Sequence, residues 1–231
     1  MMLQQTQTTQ VNDKFQQFIK KFPNFTTLAK ATNEELLELW QGLGYNRRAL
    51  ALRTIAQIVI SEYNGILPAD KDILKRFPQI GHNTASSIIA FAFNMPTFFI
   101  ETNIRRVFIY FFFPARNAVK DNEILPIVKI TLDNTDVRNW YYALIDYGVM
   151  LKKTHPELNK KSAHYRKQSK FKGSTREIRG QILKLLIDNK FLSESDLLKI
   201  LSKSTNDILK ILKVLIKEGF IKKVNKTYSL A

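Results

Sequence analysis

Along the first 151 residues, apolar side chains recur with the 3.6-residue period of helices, and no alternating strand of convincing length interrupts them. Between positions 47 and 63, Leu52, Ile55, Ala56 and Val59 mark one side of a helix, while Arg53, Gln57 and Ser61 run along another. Thr32-Asn33-Glu34-Glu35 has capping-box spacing just before Leu36, Leu37 and Leu39, which predicts a helix start there. Gly65 and Pro68 end the segment that follows. Further helices are expected over 70–76, 82–93, 102–112, 122–132 and 136–152. Pro126 should weaken the fourth of these or confine it to one side of the ring.

The pattern then changes. Residues 152–173 carry eight basic residues and one acid with few aliphatics and no period, the mark of a linker or extended arm. Beyond them Ile178, Ile182, Leu185 and Leu186 mark a helix, Ser193-x-x-Asp196 opens a second, and Ser204-x-x-Asp207 opens a third that stops at Gly219. Two short strands around Asn225-Lys226 complete the order of a winged helix-turn-helix. In its third helix Asn206, Lys210, Lys213 and Lys217 share one face, suited to a DNA groove, while Ile208, Leu212 and Leu215 supply a core face. The fold class expected is mainly α: a helical core over 1–151, a basic arm over 152–173, and a winged-helix domain with a short β-hairpin over 174–231.

Charge narrows the choice of partner. The 231 residues include 36 Lys and Arg against 20 Asp and Glu, a net +16. Residues 1–151 hold 16 basic and 13 acidic side chains, and the last 80 hold 20 and 7. A positive field so concentrated attracts polyanions, and nucleic acid fits better than anionic lipid, since no basic amphipathic stretch carries Trp on its apolar face. The 16 Phe and 8 Tyr exclude general disorder. No apolar run is long enough to cross a membrane and no secretory leader is evident, so a cytoplasmic location is expected, nucleoid-associated if the source is prokaryotic. Cys is absent, which removes disulfides, thiolate nucleophiles and cysteine-held iron–sulfur or zinc sites, and 3 His make a histidine metal centre a poor prospect.

Two short segments offer chemistry. Phe77-Pro78-Gln79-Ile80-Gly81-His82-Asn83-Thr84-Ala85 joins two helices, and a tight turn opening a helix presents backbone N–H groups to a phosphate. Pro96-Thr97-Phe98-Phe99-Ile100-Glu101-Thr102-Asn103-Ile104-Arg105-Arg106 sets one carboxylate at the start of a helix. On its own, Glu101 would cap that helix or pair with Arg105.

These segments, taken with Met2-Leu3-Gln4-Gln5-Thr6-Gln7 and Leu39-Trp40-Gln41-Gly42-Leu43-Gly44-Tyr45, stand in an order and spacing that resembles the helix-hairpin-helix-GPD DNA glycosylases. The likeness covers residues 1–151 and is nearest to adenine glycosylases of the MutY type, with thymine mismatch glycosylases close behind. The resemblance implies that Gln4 and Gln5 enter the base stack, that the loop from Gly42 to Tyr45 faces the opposite base, and that the amides around Ile80, Gly81 and His82 grip phosphate. It places Glu101 on the family's catalytic Asp, with Asn103 and Arg106 beside it. Asn83 falls where bifunctional relatives carry a Schiff-base Lys, so no lysine-based lyase step is expected. Arg47, Arg48, Lys160 and Lys161 are further expected DNA contacts.

The chemistry agrees with that arrangement. A buried base must be extruded to be cut, and cleavage of its glycosidic bond builds oxocarbenium-like charge that a fixed carboxylate stabilises. Departures from the pattern matter equally. Glu101 is one carbon longer than Asp, Gln79 stands at the first Gly of the hairpin, and the four cluster-binding Cys are gone. The MutY type carries an acid just upstream of its matching segment, at a position that falls before Met1 of this sequence. The expected protein is thus a monofunctional glycosylase acting on duplex DNA with a mispaired or damaged base, adenine first. Uracil or thymine excision, or a DNA-binding scaffold without turnover, are the alternatives. No cofactor is expected, apart from room for a monovalent cation at the hairpin.

Overall fold

The chain is described by a computed structural model covering residues 1–167 and 169–231. In chain order its helices are α1 (Thr8–Lys21), α2 (Phe25–Ala29), α3 (Asn33–Trp40), α4 (Arg47–Tyr63), α5 (Lys71–Leu74), α6 (His82–Phe93), α7 (Thr102–Phe112), α8 (Asp121–Thr131) and α9 (Val137–Thr154). A 3-10 turn, Leu158–Lys161, leads to α10 (Thr175–Asn189), β1 (Leu192–Ser193), α11 (Glu194–Leu201), α12 (Thr205–Lys217), β2 (Ile221–Val224) and β3 (Thr227–Leu230). Two of the three capping signals act as side-chain caps, while Ser204 opens α12 with no side-chain cap bond among the described residues. Thr32 and Ser193 each close a capping box, and Ser174 accepts from the Glu177 amide at the start of α10.

Two compact units emerge: Met1–Leu67 joined with Ser169–Ala231, and the stretch between them. The first contains two apolar clusters. One gathers Phe18, Phe22, Leu36, Trp40, Ala49 and Ala56 from α1, α3 and α4. The other gathers Ile182, Leu186, Leu197, Ile208, Leu212, Leu215, Phe220 and Tyr228 from the winged helix, and it also takes in Leu37. Adjacent residues of α3 therefore bury on different sides. Asn33 Nδ2 donates to the Gly219 carbonyl at 2.8 Å, and Glu218 accepts from both Arg47 and Arg179. Segments 174–231 and 1–67 thus share one compact unit, a grouping that cuts across the divisions drawn along the sequence.

The winged-helix sheet is antiparallel in the order β1-β3-β2, with Leu192 opposite Tyr228 and Val224 opposite Thr227. The hairpin turns at Asn225, as expected. Strand β1 has no signal in the sequence, because two residues carry no period.

In the second unit α7 packs on α9 around Phe99 and Tyr141, whose stacked rings lie 4.3 Å apart. Helix α8 runs straight through Pro126, against expectation. The missing N–H would have bonded the carbonyl of Asn122, an exposed residue in the first turn, so the loss is small there. The basic segment is only partly a linker. Leu158 is buried in the α7–α9 cluster, and Val119 and Ser162 form a parallel bridge in which Val119 N donates to Lys161 O and Ala163 N to Val119 O, both at 2.9 Å. A single well-placed Leu and two backbone bonds fold a stretch whose composition suggests an arm.

Candidate active site and nucleic-acid contacts

Glu101 is the N-cap of α7, and its Oε1 accepts from the amides of Asn103 at 2.8 Å and Ile104 at 3.0 Å. Asn103 Nδ2 lies 3.4 Å from the other oxygen. Of the two local roles open to Glu101, the cap forms and the pairing with Arg105 does not: Arg105 makes a bidentate bond to Asp121 at 2.7 and 2.8 Å. Glu101 has no ion pair among the described residues, and it remains part exposed. Arg106 is buried and donates to Asn103 Oδ1 at 2.8 Å and to the Gly148 carbonyl. Burial pulls its pKa down and the Glu101 charge opposes this. Carboxylate, amide and guanidinium thus form one chain of contacts, Glu101–Asn103–Arg106, anchored on α9 at Gly148.

Segment 97–100 holds Glu101 from behind. Tyr141 Oη donates to Thr97 O at 2.8 Å, His82 Nε2 to Phe98 O at 3.2 Å, and Asn83 Nδ2 to Ile100 O at 2.8 Å. Burial in the same place raises the Tyr141 phenol to about 12. Asn83, at the lysine position, is therefore a tie between α6 and the residue before Glu101.

The hairpin adopts the left-handed turn its motif calls for without the Gly. Gln79 has φ 60° and the Ile80 amide donates to Phe77 O at 3.2 Å, so Pro78-Gln79 is a type II turn. That engages the Ile80 amide, one of the expected phosphate donors. The amides of Gly81, His82 and Asn83, at the exposed start of α6, have no acceptor among the described residues.

In the first unit Gln5 and Tyr45 are exposed and both left-handed, at φ 56° and 47°, while Gln4 is part buried. Arg176 Nη1 donates to the Tyr45 hydroxyl at 3.2 Å. Arg47 is exposed and ion-paired with Glu218. Arg48 corrects the sequence reading: it is only 3% exposed, and its donors are engaged by oxygens of the loops around it. Lys160 is exposed, whereas Lys161 is part exposed and its Nζ donates to Pro114 O at 2.6 Å. On α12, Asn206, Lys210, Lys213 and Lys217 are all exposed on one face.

Sequence reasoning missed three participants. Gly148 lets α9 approach the backbone of Asn103 so closely that an added Cβ would lie 2.7 Å from its carbonyl carbon. Glu218 and Arg176 reach the residues around Tyr45 from more than a hundred positions away, which no local pattern signals. Among the described residues no helix is long and apolar enough to cross a membrane, and no three His, Cys, Asp or Glu gather into a metal-binding group. With no Cys in the chain, a thiolate-held cluster has no ligands here.

The helical core thus carries a tight turn opening α6 and a carboxylate opening α7. The family model of the HhH-GPD superfamily base excision DNA repair proteins matches residues 1–125, and the chain belongs to that family. Among its relatives, the adenine DNA glycosylase of Buchnera aphidicola subsp. Baizongia pistaciae is 34% identical over 160 residues, covering 68% of this chain and 46% of that protein. The adenine DNA glycosylase of Mycolicibacterium smegmatis is 29% identical over 204 residues, covering 81% of this chain and 70% of that one. This chain thus spans about half the length of the first of these relatives. Among solved structures, a thermostable thymine-DNA glycosylase superposes with a TM-score of 0.58 at 20% identity, over 71% of this chain and 80% of that one. A trapped endonuclease III–DNA covalent intermediate superposes with a TM-score of 0.56 at 20% identity, over 74% of each. Both share the fold.

Proposed function

We propose that the chain is a monofunctional DNA glycosylase that extrudes a mispaired or damaged base from duplex DNA and hydrolyses its N-glycosidic bond, with adenine as the preferred base. The observation that carries this reading is the Glu101 carboxylate, free of any ion pair among the described residues and fixed by two amides at the N-terminus of α7. One oxygen is held by the helix end and the other is only weakly engaged, so it is the one available to a deoxyribose. As the base departs, positive charge grows on the sugar, and a preorganised carboxylate stabilises that charge and orients water for attack at the same carbon. Asn103 and Arg106 keep the group in register. Asn83 carries an amide, which forms no imine with an abasic sugar, so strand cleavage is left to alkali or to another enzyme.

The remaining roles follow chemistry and resemblance. Gln5 fills the gap left by the extruded nucleotide, Tyr45 faces the opposite base, and the amides of Gly81 to Asn83 hold a phosphate, with hairpin carbonyls offering a place for a monovalent cation. Lysines of α12 and the exposed part of the basic segment add phosphate contacts. The names of the Buchnera and Mycolicibacterium relatives support adenine. The thymine-specific structural neighbour supports keeping U or T opposite G among the substrates tested.

The test uses duplexes with A opposite G, A opposite 8-oxoguanine, and U or T opposite G, followed by alkali. Strand breaks that appear only after alkali identify both the base and a monofunctional reaction. Glu101→Gln is expected to reduce excision about a thousandfold while affinity for the duplex stays within about threefold, as loss of a transition-state charge interaction requires. Tight binding with no excision on any duplex would reduce the protein to a scaffold.

A further inference from the structure

The buried guanidinium of Arg48 is used by none of the steps above, and it has no carboxylate partner among the described residues. Its Nη1 donates to the carbonyls of Met1 at 2.9 Å, Met2 at 3.0 Å and Gln4 at 2.7 Å. Its Nη2 donates to Thr6 Oγ1 at 3.1 Å, Leu43 O at 2.9 Å and Gly44 O at 2.8 Å, and Nε lies 3.4 Å from Tyr45 O. The same plane sits over Trp40 and Tyr45, at 5.4 and 5.6 Å from the ring centroids. Seven oxygens from two loops thus converge on one side chain, and oxygen dipoles balance a charge that burial disfavours.

Each of those loops contains one non-glycine residue forced into the left-handed region, Gln5 at 56° and Tyr45 at 47°. Such conformations persist only where their surroundings over-determine them. Thr6 Oγ1 adds a direct bond between the loops, donating to Leu43 O at 3.0 Å. We infer that Arg48 is the positioning residue that, before DNA arrives, holds Gln5 in its inserting conformation and Tyr45 in its place facing the opposite base. The inference rests on the proposed role of Gln5 as gap filler. Only a planar fork of five donors can satisfy oxygens spread around it, so Lys, a point charge with three donors, is no substitute.

The experiment uses the full chain and a duplex with 2-aminopurine beside the target base, whose fluorescence reports extrusion, together with single-turnover excision at saturating protein. Arg48→Lys is expected to lower the extrusion signal and the single-turnover rate about a hundredfold, the loss typical of a misplacement near 1 Å, while affinity for an undamaged duplex changes less than about threefold. Gln5→Ala should lower extrusion by itself, and adding Arg48→Lys to it should cost clearly less than Arg48→Lys costs alone, because part of the Arg48 effect passes through Gln5. Losses that multiply would overturn the inference, as would wild-type extrusion in Arg48→Lys beside a defective Gln5→Ala. If Gln5→Ala extrudes normally, the gap-filler reading itself fails and takes the inference with it. Should Arg48→Lys not fold, Thr6→Val removes one acceptor of the fork without changing shape. It is expected to slow extrusion about tenfold, and an unchanged rate in it would equally defeat the proposal.

Discussion

Glu101 shows how one side chain can serve two ends. Its cap on α7 is the bland role its position suggests, and the same two amides fix the carboxylate for chemistry. The extra carbon relative to Asp is taken up by folding back onto the helix end. What keeps that end in place is Gly148, against which Asn103 packs. Gly148→Ala should therefore force α7 and α9 apart, at a cost of about 1–3 kcal/mol in urea unfolding, and slow excision in parallel. Gln79 presents the opposite case, a side chain where a Gly would be at ease. Replacing it with Gly relieves a left-handed penalty of roughly 1–2 kcal/mol and adds unfolded-chain freedom of about 0.5–1 kcal/mol, so a small net gain in thermal stability is expected. The close approach at Gly148 is not visible in its neighbours along the chain.

Elements are legible to the extent that they carry a period or a cap. The helices expected at 82–93 and 102–112 match α6 and α7, and Thr32 and Ser193 cap as their spacing announces. Helix α8 departs from expectation because the carbonyl that Pro126 leaves without its helical partner belongs to exposed Asn122 in the first turn, where water can reach it. The 152–173 segment departs from it because its composition hides one Leu that α7 and α9 bury. That correction also alters which test of the basic segment is informative. Removing it from Lys160 onward would take away Lys161 and Ser162, which hold Pro114 and the bridge to Val119. Changing only Lys160, Arg166, Lys167, Lys170 and Lys172 to Gln leaves those bonds intact. The slope of log affinity against log salt should then fall by about one for each phosphate no longer neutralised, measured by titration of a duplex.

At the scale of the molecule, the winged helix shares a compact unit with the helices that carry the Gln5 and Tyr45 loops. Glu218 is a polar link in that unit. Its own burial raises its pKa, but the hydrogen bonds from Arg47 and Arg179 prevail and hold it below its ordinary 4.5. A carboxyl depressed on folding contributes stability above its unfolded pKa and loses it as pH falls through the folded value. Glu218→Gln should consequently be less stable than the parent at neutral pH, and the difference should shrink below about pH 4 in paired chemical-denaturation curves.

Local order is written in the sequence: helical periods, caps, the hairpin, the carboxylate that opens α7, and the charge excess that calls for a polyanion. Each depends on residues a few positions apart, and spacing suffices to reveal such relations. Tertiary structure alone decided that Arg48 faces inward rather than toward phosphate, that Arg105 pairs with Asp121 instead of Glu101, and that Leu37 belongs to the core of the winged helix. Those outcomes turn on which atoms compete for a charge or a cavity once distant segments meet, and that competition has no trace in the order of residues.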